Sequence, residues 1–305
     1  MSNALEIIEP REVPLGGLRA MSVRRTLPSR ERSLIGAWCF LDHYGPDDLA
    51  VSEPMVVPPH PHTGLSTVSW LFTGEIDHND SAGNRATVRP GELNLMTAGR
   101  GISHSEYSTP KTPILHGCQL WLALPEDARE TAPRFEAYVP MPMSGDGWEA
   151  RVFLGALAGS TSPVATHTPL LGAEILLKAG ASATFDVDPR FEHGVLVDTG
   201  AVWIEGEELR AHQLGYREPG ASSLTLQATE PARLLLLGGP PFGEQIVMWW
   251  NFIGRSHEDI VEYRAEWESL LDTGASARFT LPDADPMAAL HAPPMPGVRL
   301  RTRHR

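Results

Sequence analysis

Thr67-Val68-Ser69-Trp70-Leu71-Phe72, stopped by Thr73-Gly74-Glu75 and followed by the turn-forming run Asn79-Asp80-Ser81-Ala82-Gly83-Asn84, sets the rhythm of the chain. The first run is β-branched and aromatic, a composition that suits a pleated, half-buried surface. The last is a dense set of residues that bond their own backbone or tolerate tight turns. Working outward, Arg85 to Arg89 is the next strand candidate, Pro90-Gly91 turns into Glu92 to Met96, and Leu115 to Leu124 is a long apolar strand stopped by Pro125. Past residue 135 the rhythm restarts with Val152 to Leu157, Glu174 to Lys178, Ala183 to Val187, Gly194 to Val197, Ala201 to Ile204, Leu224 to Gln227 and Leu234 to Leu237. Short strands separated by turn signals predict an all-β sandwich or barrel.

The second half echoes the first. Leu196-Val197-Asp198-Thr199-Gly200-Ala201-Val202 resembles Trp70-Leu71-Phe72-Thr73-Gly74-Glu75-Ile76 at an offset of 126 residues, which suggests a duplicated β-domain. At that offset His60 and His62 fall on Asp186 and Asp188, so only the first copy is expected to carry a full ligand set. One helix is expected near the end. Ser256-His257-Glu258-Asp259 matches a capping box, Ile260, Tyr263, Trp267, Leu270 and Leu271 share one face, and Gly274 is a stop. The stretch from Pro282 onward, including Arg299, Arg301, Arg303, His304 and Arg305, has no periodicity and reads as a poorly ordered tail.

The 305 residues carry a formal charge of −13, which argues against nucleic-acid binding as the main activity, because that needs a cationic footprint. Two cysteines, Cys39 and Cys118, imply no disulfide framework and fit a reducing cytosol. No basic-then-apolar leader opens the sequence and no run of about 18 apolar residues occurs, so a cytoplasmic protein without a membrane span is expected.

The chemistry is concentrated in two dyads, His60-Pro61-His62 and His104-Ser105-Glu106. Residues two apart on a strand point to the same face, so each dyad is a pincer and two pincers on facing strands can supply four donors to one point. Three imidazoles and a carboxylate suit a borderline transition ion such as Fe(II), Mn(II), Ni(II) or Cu(II), and leave coordination positions for substrate or dioxygen.

The runs His60 to Trp70, Gly74 to His78, Asp80-Ser81, Met96 to Glu106 and Leu115 to Trp121 closely resemble the pirin family. Gly238 to Glu244 and Met248-Trp249-Trp250-Asn251-Phe252 look like the closing segments of its bacterial members. The resemblance implies a two-domain cupin, each domain a small jelly-roll sandwich (a double-stranded β-helix), with a short C-terminal helix. The expected division is residues 1–135 for a metal-binding domain, 136–281 for a second cupin domain lacking a full ligand set, and 282–305 for the tail. It implies His60, His62, His104 and Glu106 as ligands of one divalent metal, Fe(II) first, with Mn, Ni, Cu, Co and Zn also acceptable to this donor set. Ordinary single cupins place a Glu a few residues after the His-x-His; Ser66 and Thr67 stand there here.

Some pirins resemble flavonol dioxygenases, cleaving quercetin between C2 and C3 with loss of carbon monoxide; others act as regulators that bind a transcription factor or a metabolic enzyme. The leading expectation is thus a quercetinase-like dioxygenase acting on a small planar aromatic substrate and O2, with Glu106 also the base for the substrate hydroxyl. The alternative is a non-enzymatic metal- or redox-sensing protein with a protein partner. His43 and His116 are expected to be structural, His78 solvated, Trp249 and Trp250 core, Cys118 buried filler, and Arg100 a contact to the second domain or to an anionic substrate, with a surface salt bridge as the alternative.

Overall fold

The computed structural model describes residues 5–15, 21–50, 52, 54–111 and 113–304. Its strands pair antiparallel throughout and fall into two sandwiches of the same plan. In the first, a seven-stranded sheet runs in the order Arg134–Tyr138, Leu93–Thr97, Leu65–Thr73, Ile114–Ala123, Trp38–Asp48, Ser22–Leu27, Arg11–Pro14. A four-stranded sheet completes it, in the order Val56–His62, Ile102–Ser108, Ile76–Asp80, Arg85–Val88. The second sandwich repeats the arrangement with Glu6–Ile8, Leu214–Arg217, Glu192–Thr199, Ala232–Gly239, Leu171–Leu177, Trp148–Leu154 and Met143–Gly145. Its smaller sheet is Ser182–Asp186, Ser223–Ala228, Ala201–Ile204, Glu207–Arg210. The strands ending at Thr73 and Thr199 occupy the same place in their sheets, as the short self-similar stretch predicted.

The halves are interlocked at their margins. Glu6–Ile8, from the beginning of the chain, pairs with Leu214–Arg217 in the second sandwich. Arg134–Tyr138 pairs with Leu93–Thr97 in the first, so the division expected at 135/136 falls inside a strand. Between the sandwiches lies a shared apolar core in which Trp38, Trp70, Phe153, Leu196, Leu235 and Leu237 are buried. Trp70 stacks on Phe153 at 4.5 Å between ring centroids, and the Trp38 indole N–H donates to the carbonyls of Leu171 and Gly238. Glu192 adds a polar tie, accepting from the Gly36 backbone at 2.6 Å and from the Tyr216 hydroxyl at 2.9 Å.

The two sandwiches differ in what fills them. The second is packed with Phe185, Val202, Ile204, Leu224 and Leu226. Asp186 is exposed, and Asp188 is engaged by Arg190 at 2.6 Å. The first carries histidines and carboxylates on the corresponding small sheet.

The helix forms where its sequence signals place it, His257–Thr273. Ser256 and Asp259 make the reciprocal capping box, and Gly274 caps the other end in the left-handed conformation. Its apolar face packs on the hairpin Val247–Trp249/Phe252–Gly254 and on Phe279 and Ala292, not on a face of either sandwich. Residues 282–304, expected as a loose tail, are tied down. Asp285 accepts from the Ser105 hydroxyl at 2.5 Å and the Tyr107 phenol at 2.6 Å. Leu290 donates its N–H to Pro59 and accepts from Trp267, and Arg303 exchanges both backbone bonds with Ile246. The segment has no regular ladder of its own; backbone and side chains of other elements meet its polar groups one at a time. Arg305 lies outside the described residues.

Candidate metal centre

The two dyads sit on neighbouring strands of one sheet. Ile102–Ser108 lies between Val56–His62 and Ile76–Asp80, with His104 directly opposite His60 on one side and Asp80 on the other. A bulge between His104 and Glu106 shifts the register, so that Glu106 stands across from Val57 and from His78. Period-2 alternation then turns His60, His62, His104, Glu106, His78 and Asp80 to the same inner face. All six are buried. The donor atoms of His60, His62 and His104 lie within 4.8 Å of one another, as do those of His78, His104 and Glu106.

Hydrogen bonds decide which nitrogen faces inward. His60 Nδ1 is 2.9 Å from the Pro58 carbonyl and His62 Nδ1 is 3.1 Å from the Asn251 carbonyl. A carbonyl only accepts, so both Nδ1 atoms carry the proton, and both Nε2 lone pairs are free. His62 Nε2 and His104 Nε2 are 3.1 Å apart. Neighbouring ligands around an ion with bonds of about 2.1 Å stand about 3 Å apart, so the spacing fits two donors on one ion. Glu106 takes no hydrogen bond from the described residues, and burial raises its carboxyl above the ordinary range. Burial lowers His60 to about 4, and burial with the crowding of like imidazoles lowers His62 and His104 well below their usual value. Neutral imidazoles and an unpartnered buried carboxylate are donors of the kind a divalent cation takes, and they stand in two groups that overlap at His104, with Glu106 grouped with His78 and not with His60 and His62.

His78, expected in solvent, is buried instead. Its Nδ1 is 3.3 Å from His104 Nδ1 and its Nε2 is 3.2 Å from Asp80 Oδ2. With His104 Nε2 turned to the cluster, His104 Nδ1–H donates to His78, whose Nε2–H donates to Asp80. Asp80 is itself fixed by the backbone N–H groups of Ala82 and Asn84. Such chains hold a ligand's ring orientation and tautomer. The signal was available: His78-x-Asp80 has the same spacing as the two dyads.

His43 and His116 belong to a different cluster. Both Nε2–H groups donate to Asp198 Oδ1, at 2.7 and 2.6 Å, across the boundary between the sandwiches. Burial pushes the Asp198 carboxyl up, but the two imidazole donors outweigh it and hold it well below its usual range. The donor atoms are close enough for a metal, yet Arg233 already stands 3.4 Å from Asp198 Oδ2. Asp198 is thus met by three donors, and the cluster acts as a clasp. Arg100 is exposed and makes no ion pair among the described residues. Cys118 and Cys39 are free and fully buried, with thiols pushed up by burial, as filler should be.

A cavity of about 620 Å³ opens onto His60, His62 and Glu106. Phe40 and Trp121, stacked at 4.0 Å, form part of its wall. Trp249 and Trp250, expected as core, are half-buried lining residues. Leu290 and His291 contribute the rim, His291 being held to Glu268 at 2.9 Å.

Two cupin sandwiches, with a buried histidine–carboxylate cluster in the first, define a double cupin able to hold one metal ion. Comparison with known proteins places the chain further. The family models Pirin and Pirin C-terminal cupin domain match residues 20–122 and 172–270. A Pseudomonas aeruginosa protein provisionally named a quercetin 2,3-dioxygenase is 42% identical over 96% of this chain and 91% of its own. A pirin-like protein of Caulobacter vibrioides is 34% identical over 92% of this chain and 96% of its own. A solved structure described as quercetin 2,3-dioxygenase from Acinetobacter baumannii superposes with a TM-score of 0.91 at 35% identity, covering 98% of this chain and 97% of that one. The chain belongs to the pirin family. Among the described residues no helix is long and apolar enough to cross a membrane.

Proposed function

We propose that the protein is a metal-dependent dioxygenase of the quercetinase type, with His60, His62, His104 and Glu106 as the ligands of one first-row divalent ion, Fe(II) foremost. The observation that carries this reading is the open, aromatic-walled cavity ending on His60, His62 and Glu106. A redox sensor that binds only a protein partner has no use for such a space, whereas a planar substrate needs one. The ion, when bound, supplies a Lewis-acidic, redox-capable centre where an enol oxygen and dioxygen can meet.

The chain's own residues then have separate tasks. Trp121, Trp249 and Trp250 line the cavity for a planar ring, with Phe40 backing Trp121 from behind. His60 and His62 are held by backbone carbonyls, so their donor atoms need no rearrangement. Glu106, which faces the cavity, would accept the hydroxyl proton of the substrate as it binds. The names of the Pseudomonas and Acinetobacter relatives agree with this chemistry.

The test is anaerobic loading with Fe(II), followed by oxygen uptake and loss of quercetin absorbance, with His104→Ala as control. Metal-dependent turnover that disappears in the control is expected. A fully loaded protein that binds quercetin without consuming oxygen would refute the reading and favour a regulatory role.

A further inference from the structure

The C-terminal basic run folds back to build a second cleft, of about 410 Å³, against residues 30–33. Arg30, Arg301, Arg303 and His304 line it, with Glu31 the only acidic lining residue. Arg299 is spent elsewhere, on Glu258 at 2.7 Å. No carboxylate of the described residues pairs with Arg30, Arg301 or Arg303. Half-buried arginines elsewhere meet either a carboxylate, as Arg25 meets Asp42, Arg129 meets Asp259 and Arg255 meets Glu244, or a backbone carbonyl, as Arg24 meets Gly45 and Arg264 meets Pro293.

Arg303 is the informative member. Its backbone is pinned to Ile246, and its guanidinium is half-buried with only the Ser33 hydroxyl, at 3.3 Å, as a side-chain partner. Burial, and then the neighbouring Arg11, oppose its positive charge. A cation partly withdrawn from water without a counter-charge is costly, and an oxyanion between Arg303, Arg301 and Arg30 would remove that cost through charge-assisted hydrogen bonds. Met248 lines both this cleft and the aromatic cavity beside the histidine cluster, so the two spaces share a wall.

We propose that the cleft is an oxyanion subsite that takes a sulfate, phosphate or carboxylate substituent of the substrate whose planar ring occupies the main cavity. This rests on the cavity being the substrate site, and it narrows the substrate class to anionic conjugates of planar enols or phenols.

Binding to the metal-free protein tests it without turnover. Pyrophosphate is titrated calorimetrically, and quercetin and quercetin 3′-sulfate are followed by quenching of tryptophan fluorescence. Saturable pyrophosphate binding is expected, weakened about tenfold or more by the exposed-site double variant Arg30→Ala/Arg301→Ala and retained by Arg303→Lys. The sulfate should bind about tenfold tighter than quercetin, an advantage that saturating pyrophosphate abolishes. Absence of pyrophosphate binding, or binding indifferent to the double variant, would overturn the subsite. Pyrophosphate binding with no preference for the sulfate would overturn its role in substrate recognition and leave a site for free anions. Loss of the dioxygenase reading would show separately, as ligand binding without oxygen uptake.

Discussion

Replacing His78 separates a residue that holds a ligand in place from one that is itself a ligand. His78 touches the cluster through one contact, Nδ1 to His104 Nδ1 at 3.3 Å, and is anchored behind by Asp80 at 3.2 Å. His78→Ala leaves the buried His104 Nδ1–H without its acceptor. An unmet buried donor costs about 1–3 kcal/mol, and loss of such outer partners typically weakens metal binding by about 10–100-fold. These two figures agree, since 100-fold is about 2.7 kcal/mol. His78→Asn places an amide oxygen near the position of Nδ1 and should restore most of the affinity. The assay is Ni(II) binding at pH 7.5 in competition with a chromophoric chelator, with stoichiometry determined in parallel. One ion per chain is expected in all variants, with affinity in the order wild type, Asn, Ala. Equal affinity in the alanine variant would refute the relay. Loss of the ion from both variants, as deep as in His104→Ala, would make His78 a ligand.

Three further outcomes are expected. His62→Ala should cripple metal binding, while the melting temperature of the metal-free protein stays within a few degrees of wild type, because the apolar cores do not depend on that ring; metal analysis showing full occupancy would sink the assignment. Below about pH 6.5 the unfolded chain takes up protons that the buried His43, His60, His62 and His104 resist, so denaturant titrations of the metal-free protein should show stability falling between about pH 6.5 and 4, by about 3 kcal/mol for His60 alone. A flat profile there would refute the buried, neutral state of the cluster. Gly99 has φ of +54°, and a Cβ there would lie 2.0 Å from the Thr131 carbonyl, so Gly99→Ala should cost about 2–3 kcal/mol in urea unfolding, where a change under 1 kcal/mol would contradict the turn geometry.

What was legible in the sequence was local. Period-2 spacing brought out both dyads, and the capping box and glycine stop fixed the helix, because each depends on neighbours a few residues away. The same rule applied to His78 and Asp80 would have found the relay; a nearby polar turn suggested solvent instead. His43 and His116 were unreadable for another reason. Their partner Asp198 is 155 and 82 residues distant, and only the packing of the two sandwiches brings it near. Trp249 and Trp250 were half legible: they pack on the core under the helix and also wall the cavity, and an aromatic residue looks the same in a sequence in either place. The tail misled because its order is supplied by Ser105, Tyr107 and Trp267, residues of other elements.

The exchange of marginal strands has a consequence for how the molecule can be taken apart. Glu6–Ile8 reaches the second sandwich before the first has been built, and the clasp at Asp198 and the core around Trp38 and Phe153 draw on both. Neither sandwich, cut out at the midpoint of the chain, would keep its own edge covered or its inner face dry. Two sandwiches of one plan are therefore a single indivisible unit: the one without the histidine cluster is the wall against which the other stands.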